Sequence, residues 1–131
     1  MQTLIATAQS KDIAALVRVP KNEEVAIKHA MDAGAATVIV PMINSKEDAI
    51  KAVAYAKYPP QGRRGVGLSR AQKYGYGFDE YKEWLHNSAV VIAQIEHISG
   101  INNLEEIVSV HGIDGTIIGP YDLCGSLGCI G

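Results

Sequence analysis

Four short runs of β-branched and aliphatic residues recur along the chain, and each is separated from the next by sequence of helical character. The runs are Ile13–Val19, closed by Pro20, then Thr37–Met42, Val90–Glu96 and Thr116–Gly119. They are short, apolar and rich in β-branched residues, so they read as strands, the first of them buried. Strand starts fall 24 residues apart from Ile13 to Thr37 and 26 apart from Val90 to Thr116, with a longer interval between. Such strands alternating with helices demand parallel pairing through right-handed crossovers. The spacing suits a (β/α) barrel or an open doubly wound sheet. A leucine-rich solenoid is excluded, because no Leu-x-x-Leu-x-Leu pattern recurs.

The punctuation between strands supports the same order. Asn22 is a possible helix cap, with Glu23 and Glu24 in the first turn and Gly34 at the stop. Val25, Ala26, Ala30 and Met31 form that helix's apolar stripe. Ser45 and Asp48 resemble a capping box ahead of AIKAVAYAK. Tyr58-Pro59-Pro60-Gln61-Gly62 breaks the helix, Arg63–Gly67 reads as loop around a short extended piece, and Tyr74–Phe78 reads as Gly-rich loop. Asp79 is expected to cap a helix reaching about Asn87. Ser99 or Asn102 is expected to start one that Gly112 ends, and Pro120–Gly131 is expected to be loop. The order is therefore β-α-β-α-loop-α-β-α-β, in one domain over residues 1–131.

Charge excludes whole classes of partner. With 12 Lys+Arg against 14 Asp+Glu the net charge is −2, so no electrostatic footprint for nucleic acid or an anionic membrane exists. The longest apolar stretch, Ala35–Ile43, contains Thr37 and Pro41 and falls far short of the roughly 18–20 residues of a membrane span. The opening MQTLIATAQSKD lacks a basic segment before an apolar core, so a cytoplasmic protein is expected, with Cys124 and Cys129 as reduced thiols.

Parallel α/β folds bind ligands at the carboxyl ends of their strands. Each predicted strand delivers polar residues there: Arg18 from the first, Asn44 just beyond the second, Gln94 and Glu96 from the third, and Asp122 after Gly119-Pro120 from the fourth. Gln94 and Glu96 are two apart and share one side of the strand. Burying a carboxylate and an amide in an apolar run is costly unless they are paired or bind metal. Glu96 and Asp122, converging without His or Cys, form an oxygen-only donor set suited to a hard cation such as Mg²⁺ or Mn²⁺. No Cys/His spacing supports structural zinc, Gly65-Val66-Gly67 lacks the Lys-Ser/Thr of a phosphate loop, and there is no Gly-x-Ser-x-Gly elbow. His29, His86, His97 and His111 fall on or beside helices, where surface or capping roles are expected.

Seven segments, in order along nearly the whole chain, resemble the HpcH/HpaI aldolase family. They are Leu16-Val-Arg-Val-Pro20, Asp32-Ala-Gly-Ala35, Val40-Pro-Met42, Tyr58-Pro-Pro60, Arg64-Gly-Val-Gly67, Gln94-Ile-Glu96 and Gly119-Pro-Tyr-Asp-Leu123. The family comprises metal-dependent class II pyruvate aldolases on a TIM-type (β/α)₈ barrel. The resemblance implies that Glu96 and Asp122 ligate Mg²⁺, Mn²⁺ or Co²⁺, which pyruvate chelates through its keto and carboxylate oxygens. It implies that Arg18 touches the keto oxygen, that Asp32 is a further acid near the site's hydrogen-bond network, and that Gln94 supports the ligands. Backbone amides around Tyr121 and Asp122 would hold the pyruvate carboxylate. The implied reaction is reversible cleavage of a 4-hydroxy-2-oxo acid, a 2-keto-3-deoxy sugar acid or a hydroxy-oxo-diacid, to pyruvate and a small aldehyde. A homo-oligomer is expected.

The sequence departs from the family in length and in one motif. An eight-stranded barrel takes about 250 residues, so a partial barrel of about four strands is expected, without the Gly-Glu-His segment whose His is the family's base. The family's Asp-Leu-Ser reads Asp122-Leu123-Cys124. Two rivals follow: an acyl-CoA lyase of the citrate lyase β type, and a non-catalytic, self-associating remnant.

Overall fold

The computed structural model describes residues 1–129. Its elements are α1 (Gln2–Gln9), β1 (Leu16–Arg18), α2 (Glu24–Asp32), β2 (Thr37–Val40), α3 (Lys46–Ala56), a 3₁₀ segment (Arg70–Gly75), α4 (Phe78–Asn87), β3 (Val90–Ile95), α5 (Ile98–Asn102), α6 (Leu104–Val108), β4 (Gly115–Ile118) and α7 (Pro120–Ser126). The four strands form one parallel sheet in the order β1-β2-β3-β4. That sequential order belongs to a barrel wall; a doubly wound sheet reverses its order partway. No helix of the described residues is long and apolar enough to cross a membrane.

Parity along the strands divides the sheet into two faces. Register aligns Val38 with Val91 and Val40 with Ala93, and these residues, with Ile95, are buried under the helices. Ile27, Ala30 and Met31 of α2, Ala49 and Ala52 of α3, Leu85 of α4 and Ile107 of α6 complete that core. The opposite face carries Leu16, Arg18, Ile39, Ile92, Gln94 and Ile117, aligned through the same registers. Leu16 is 61% exposed and Ile117 47% exposed, so this face is uncovered at both of its edges.

Several local expectations are corrected. The first strand is three residues long, because residues 10–13 form the turn that closes α1: Asp12 is left-handed at φ 57° and the Ile13 N–H donates to Ala8 O. The second strand stops at Val40, since Pro41 has no N–H to continue the ladder. Asn22 does not cap α2; its Nδ2 donates to Asp48 O at 2.9 Å and ties the β1–α2 loop to α3. Val25 is 64% exposed, and Ile27 takes its place in the stripe. Asp79 lies inside the first turn of α4, whose cap is Gly77. A 3₁₀ segment precedes Tyr76 where loop was expected. Residues 98–108 are two short helices broken at Asn103, whose Nδ2 donates to Asn44 O. The stretch expected to be loop after Gly119 contains α7, with Pro120 in its first turn; Ile130 and Gly131 lie outside the described residues. Ser45 does cap α3, accepting from Asp48 N, while Asp48 Oδ2 accepts from Asn44 N.

The Tyr58-Pro-Pro and Arg64-Gly-Val-Gly segments build a polar plug at the amino ends of the strands. Arg64 is fully buried. It donates to Ala56 O at 2.9 Å and to the Tyr81 hydroxyl at 2.8 Å, and its guanidinium lies 4.3 Å from the centre of the Tyr58 ring. Lys57, also buried, donates to Leu85 O at 2.8 Å and Ala89 O at 2.5 Å, joining the end of α3 to the end of α4. Burial pushes the Lys57 ammonium below its usual range, Asp114 opposes this and Arg64 adds to it. Lys57→Met leaves both carbonyls without their donor and is expected to destabilise the fold by about 2 kcal/mol, read by urea denaturation. Because the folded chain sheds the Lys57 proton before the unfolded chain does, the wild type should gain on the variant as pH rises from that depressed value towards 10.5. A flat difference across this range would place the ammonium in water.

Candidate active site

Arg18, Gln94 and Glu96 come together at the carboxyl ends of β1 and β3. The Arg18 Nε donates to Gln94 Oε1 at 3.2 Å, and its Nη2 lies 3.8 Å from Glu96 Oε1. Gln94 Nε2 donates to Glu96 Oε2 at 2.6 Å. The Glu96 side chain is 2% exposed and that of Arg18 is 49% exposed, so a buried carboxylate carries an accessible guanidinium at its mouth. The alternation expected for Gln94 and Glu96 holds, and the register that sets Arg18 level with Ile39 and Ile92 brings the first strand's end to them.

A fourth group was not legible in the sequence. The Met42 N–H donates to Glu96 Oε1 at 3.0 Å. Met42 is left-handed, at φ 53°, a conformation that costs a non-glycine residue roughly 1–2 kcal/mol. Turning the amide towards Glu96 gives the buried carboxylate a donor it would otherwise lack. No residue-type signal marks such a position. Asn44, expected at the site, instead helps close the β2–α3 loop, with its amide on Asp48.

Gly119 makes the fourth strand's contribution possible. A Cβ there would sit 2.9 Å from Glu96 Cβ and 3.0 Å from Glu96 Oε2, so only glycine lets the β4–α7 connection cross the carboxylate this closely. Three residues on, Asp122 stands exposed in the first turn of α7, with no hydrogen bond or ion pair among the described residues. The first α7 amide to find a backbone acceptor is that of Leu123, on Gly119 O. The N–H groups of Tyr121 and Asp122 precede it and have no partner within the helix. Tyr121 itself is 85% exposed.

Asp32 does not join this network. It ends α2, and a helix that follows a parallel strand runs back towards the strands' amino ends. Its carboxylate accepts from Lys28 Nζ at 2.6 Å and faces Arg64 Nε at 4.0 Å, in the polar plug. His97, next in sequence to Glu96, caps α5: its Nδ1 accepts from Ser99 N at 3.1 Å.

The donor set fits a hard cation. Each Glu96 oxygen accepts one hydrogen bond and keeps a further lone pair. Asp122, in the first turn of the helix that follows the adjacent strand, has an exposed carboxylate with no protein partner among the described residues. No cluster of three or more His, Cys, Asp and Glu exists among the described residues. A cation held here would therefore take one or two carboxylates and fill its other positions with water or ligand oxygens, as Mg²⁺ does.

The sequence model of one family, described as HpcH/HpaI aldolase/citrate lyase, matches residues 1–131. The chain is 40% identical over 124 residues to a hydroxypyruvate/pyruvate aldolase of Roseobacter denitrificans, covering 94% of this chain and 48% of the relative. It is 41% identical over 117 residues to a 4-hydroxy-2-oxovalerate aldolase of Novosphingobium aromaticivorans, covering 89% and 44%. The crystal structure of an HpcH/HpaI aldolase from Desulfitobacterium hafniense DCB-2 superposes with a TM-score of 0.87 at 31% identity, covering 99% of this chain and 51% of that one. The chain thus spans about half the length of the curated relatives it matches.

Proposed function

The chain belongs to the HpcH/HpaI aldolase/citrate lyase family, and on that premise we propose that Arg18, Gln94 and Glu96, with Asp122, form the enolate-stabilising half of a class II pyruvate aldolase site. The reaction is reversible cleavage of a 4-hydroxy-2-oxo acid to pyruvate and an aldehyde. The observation that carries this reading is the buried Glu96, held by Gln94 and the Met42 amide beside an accessible Arg18.

Each residue has a task that follows from its surroundings. Gln94 and the Met42 N–H hold the Glu96 carboxylate in one orientation, facing out of the sheet. Glu96 and Asp122 would hold a divalent cation, Mg²⁺, Mn²⁺ or Co²⁺, which when bound supplies Lewis-acid polarisation of an oxo acid. Arg18, fixed through its Nε by Gln94, keeps its terminal N–H groups for the oxygen on which enolate charge develops. A donor already aimed at that oxygen stabilises the transition state without reorganising. The N–H groups of Tyr121 and Asp122, which have no partner within the helix, would donate hydrogen bonds to the substrate carboxylate. Proton removal from the methyl carbon needs a base, and His97 is committed to capping α5 through Nδ1.

Binding tests the reading without turnover. Pyruvate, or oxalate as a planar mimic of its enolate, should bind the chain only when Mg²⁺ or Mn²⁺ is present, by titration calorimetry. Arg18→Lys should weaken oxalate binding by about 10- to 100-fold, because a point ammonium cannot hold the Gln94 contact and donate a fork to the ligand together. Affinity that is independent of metal, or unchanged in Arg18→Lys, would sink the assignment.

A further inference from the structure

The end of α7 carries a feature that the aldolase reading does not use. The Gly128 N–H donates to Gly125 O at 3.1 Å, the Cys129 N–H donates to Cys124 O at 3.0 Å, and Gly128 is left-handed at φ 73°. This is the Schellman pattern, in which nested hydrogen bonds fold the chain back over the last helical turn. The pattern brings together two side chains, that of the third-last helical residue and that of the second residue past the cap, commonly as an apolar contact. Here those positions are Cys124 and Cys129, the two cysteines of the whole sequence. The Cys129 thiol already lies over the Cys124 peptide, donating to its carbonyl oxygen at 3.5 Å. Cys124 is half-buried and Cys129 exposed, and both are free.

We propose that Cys124 and Cys129 are a reversible dithiol–disulfide pair, a modification site whose reactant is a small disulfide of the glutathione class. The Schellman turn folds Cys129 back over the Cys124 turn, with its sulfur 3.5 Å from the Cys124 carbonyl oxygen, so the two thiols face each other across a closed loop. The exposed Cys129 sulfur attacks the small disulfide as its thiolate, forms a mixed disulfide and releases one small thiol. Cys124, also as its thiolate, then attacks the Cys129 sulfur and expels the second small thiol. The protein gives up two thiol protons and two electrons, and one small disulfide becomes two small thiols. The bond forms across the hydrogen-bonded turn and locks the helix end beyond Asp122. Ser126 lies inside the closed loop; its hydroxyl accepts from Ile98 N at 3.0 Å, which joins the locked turn to α5.

The test equilibrates the 131-residue chain with graded mixtures of reduced and oxidised glutathione, quenches with acid, alkylates free thiols and reads masses under denaturing conditions. Both thiols should vanish together, with loss of two hydrogens and no added glutathione. Amide exchange across Ser126–Cys129 should slow on the order of tenfold in that species. Cys124→Ser and Cys129→Ser should each accept a single glutathione and form no internal bond. Wild-type chain that accumulates glutathione adducts or intermolecular disulfides in place of the internal bond would overturn the proposal. So would an internal bond that leaves exchange at the helix end unchanged.

Discussion

Glu96→Gln is expected to weaken Mn²⁺ binding in the presence of oxalate by on the order of a hundredfold or more. The substitution removes the anionic charge and one of the two acceptor oxygens while keeping the volume. Gln94 Nε2 and the Met42 N–H both donate to Glu96. A glutamine there has one acceptor to offer two donors, and its own NH₂ would face one of them. A neutral amide is also a poor ligand for a hard cation. Paramagnetic relaxation of water protons by Mn²⁺ measures the affinity directly, and urea denaturation shows whether the fold survives. A folded Glu96→Gln chain that keeps wild-type Mn²⁺ affinity would remove Glu96 from the ligand set. Asp122→Asn provides a second arm: it acts on an exposed residue outside the hydrogen-bonded cluster, so its effect reads metal ligation with little change in folding.

The 131-residue chain should self-associate at about 10 µM, seen by sedimentation equilibrium. Among the described residues β1 pairs only with β2 and β4 only with β3, so each outer edge presents unpaired N–H and C=O groups. The flanking side chains are apolar: Leu16 is 61% exposed, Ile117 47% and Ile118 58%. Ile117 aligns with Gln94 on the uncovered face and Ile118 with the buried Ile95 on the opposite face, which at β4 is open, so β4 offers both an edge and two apolar surfaces. Apolar surface joined to an open strand edge drives association. Ile118→Lys combined with Thr116→Lys should shift the population towards monomer, since charge on an edge strand blocks pairing. A monodisperse wild-type monomer at several hundred µM would refute the expectation.

How far the sequence could be read depended on the range of the interaction concerned. Strand identity, parallel order and the shared side of Gln94 and Glu96 follow from periodicity within a few residues, and all are present in the structure. The placement of polar residues at strand ends was legible because a parallel α/β chain has one face for its loops. Boundaries were less so. The α1 turn takes the amide of Ile13, and α7 grows from a Gly-rich stretch in which Pro120 starts a helix and Gly128 ends it. Composition alone does not separate such a helix from loop.

The tertiary structure decided what depends on residues far apart. Arg18 meets Gln94 across 76 positions, and Lys57 caps a carbonyl 32 positions away. Asp32, adjacent in sequence to motifs that suggested a place in the site, is carried by the return of α2 to the other end of the strands, where Lys28 and Arg64 hold it. Arg64 is a charged residue that became the largest fully buried side chain, because Tyr58, Tyr81 and the Ala56 carbonyl surround it. Met42 became part of the site through a left-handed backbone and an N–H, neither of which a side chain announces. Local periodicity is written residue by residue into the chain. The partner of a buried charge is set by which strand ends and helix ends the crossovers bring together, and that is settled only when the sheet has formed.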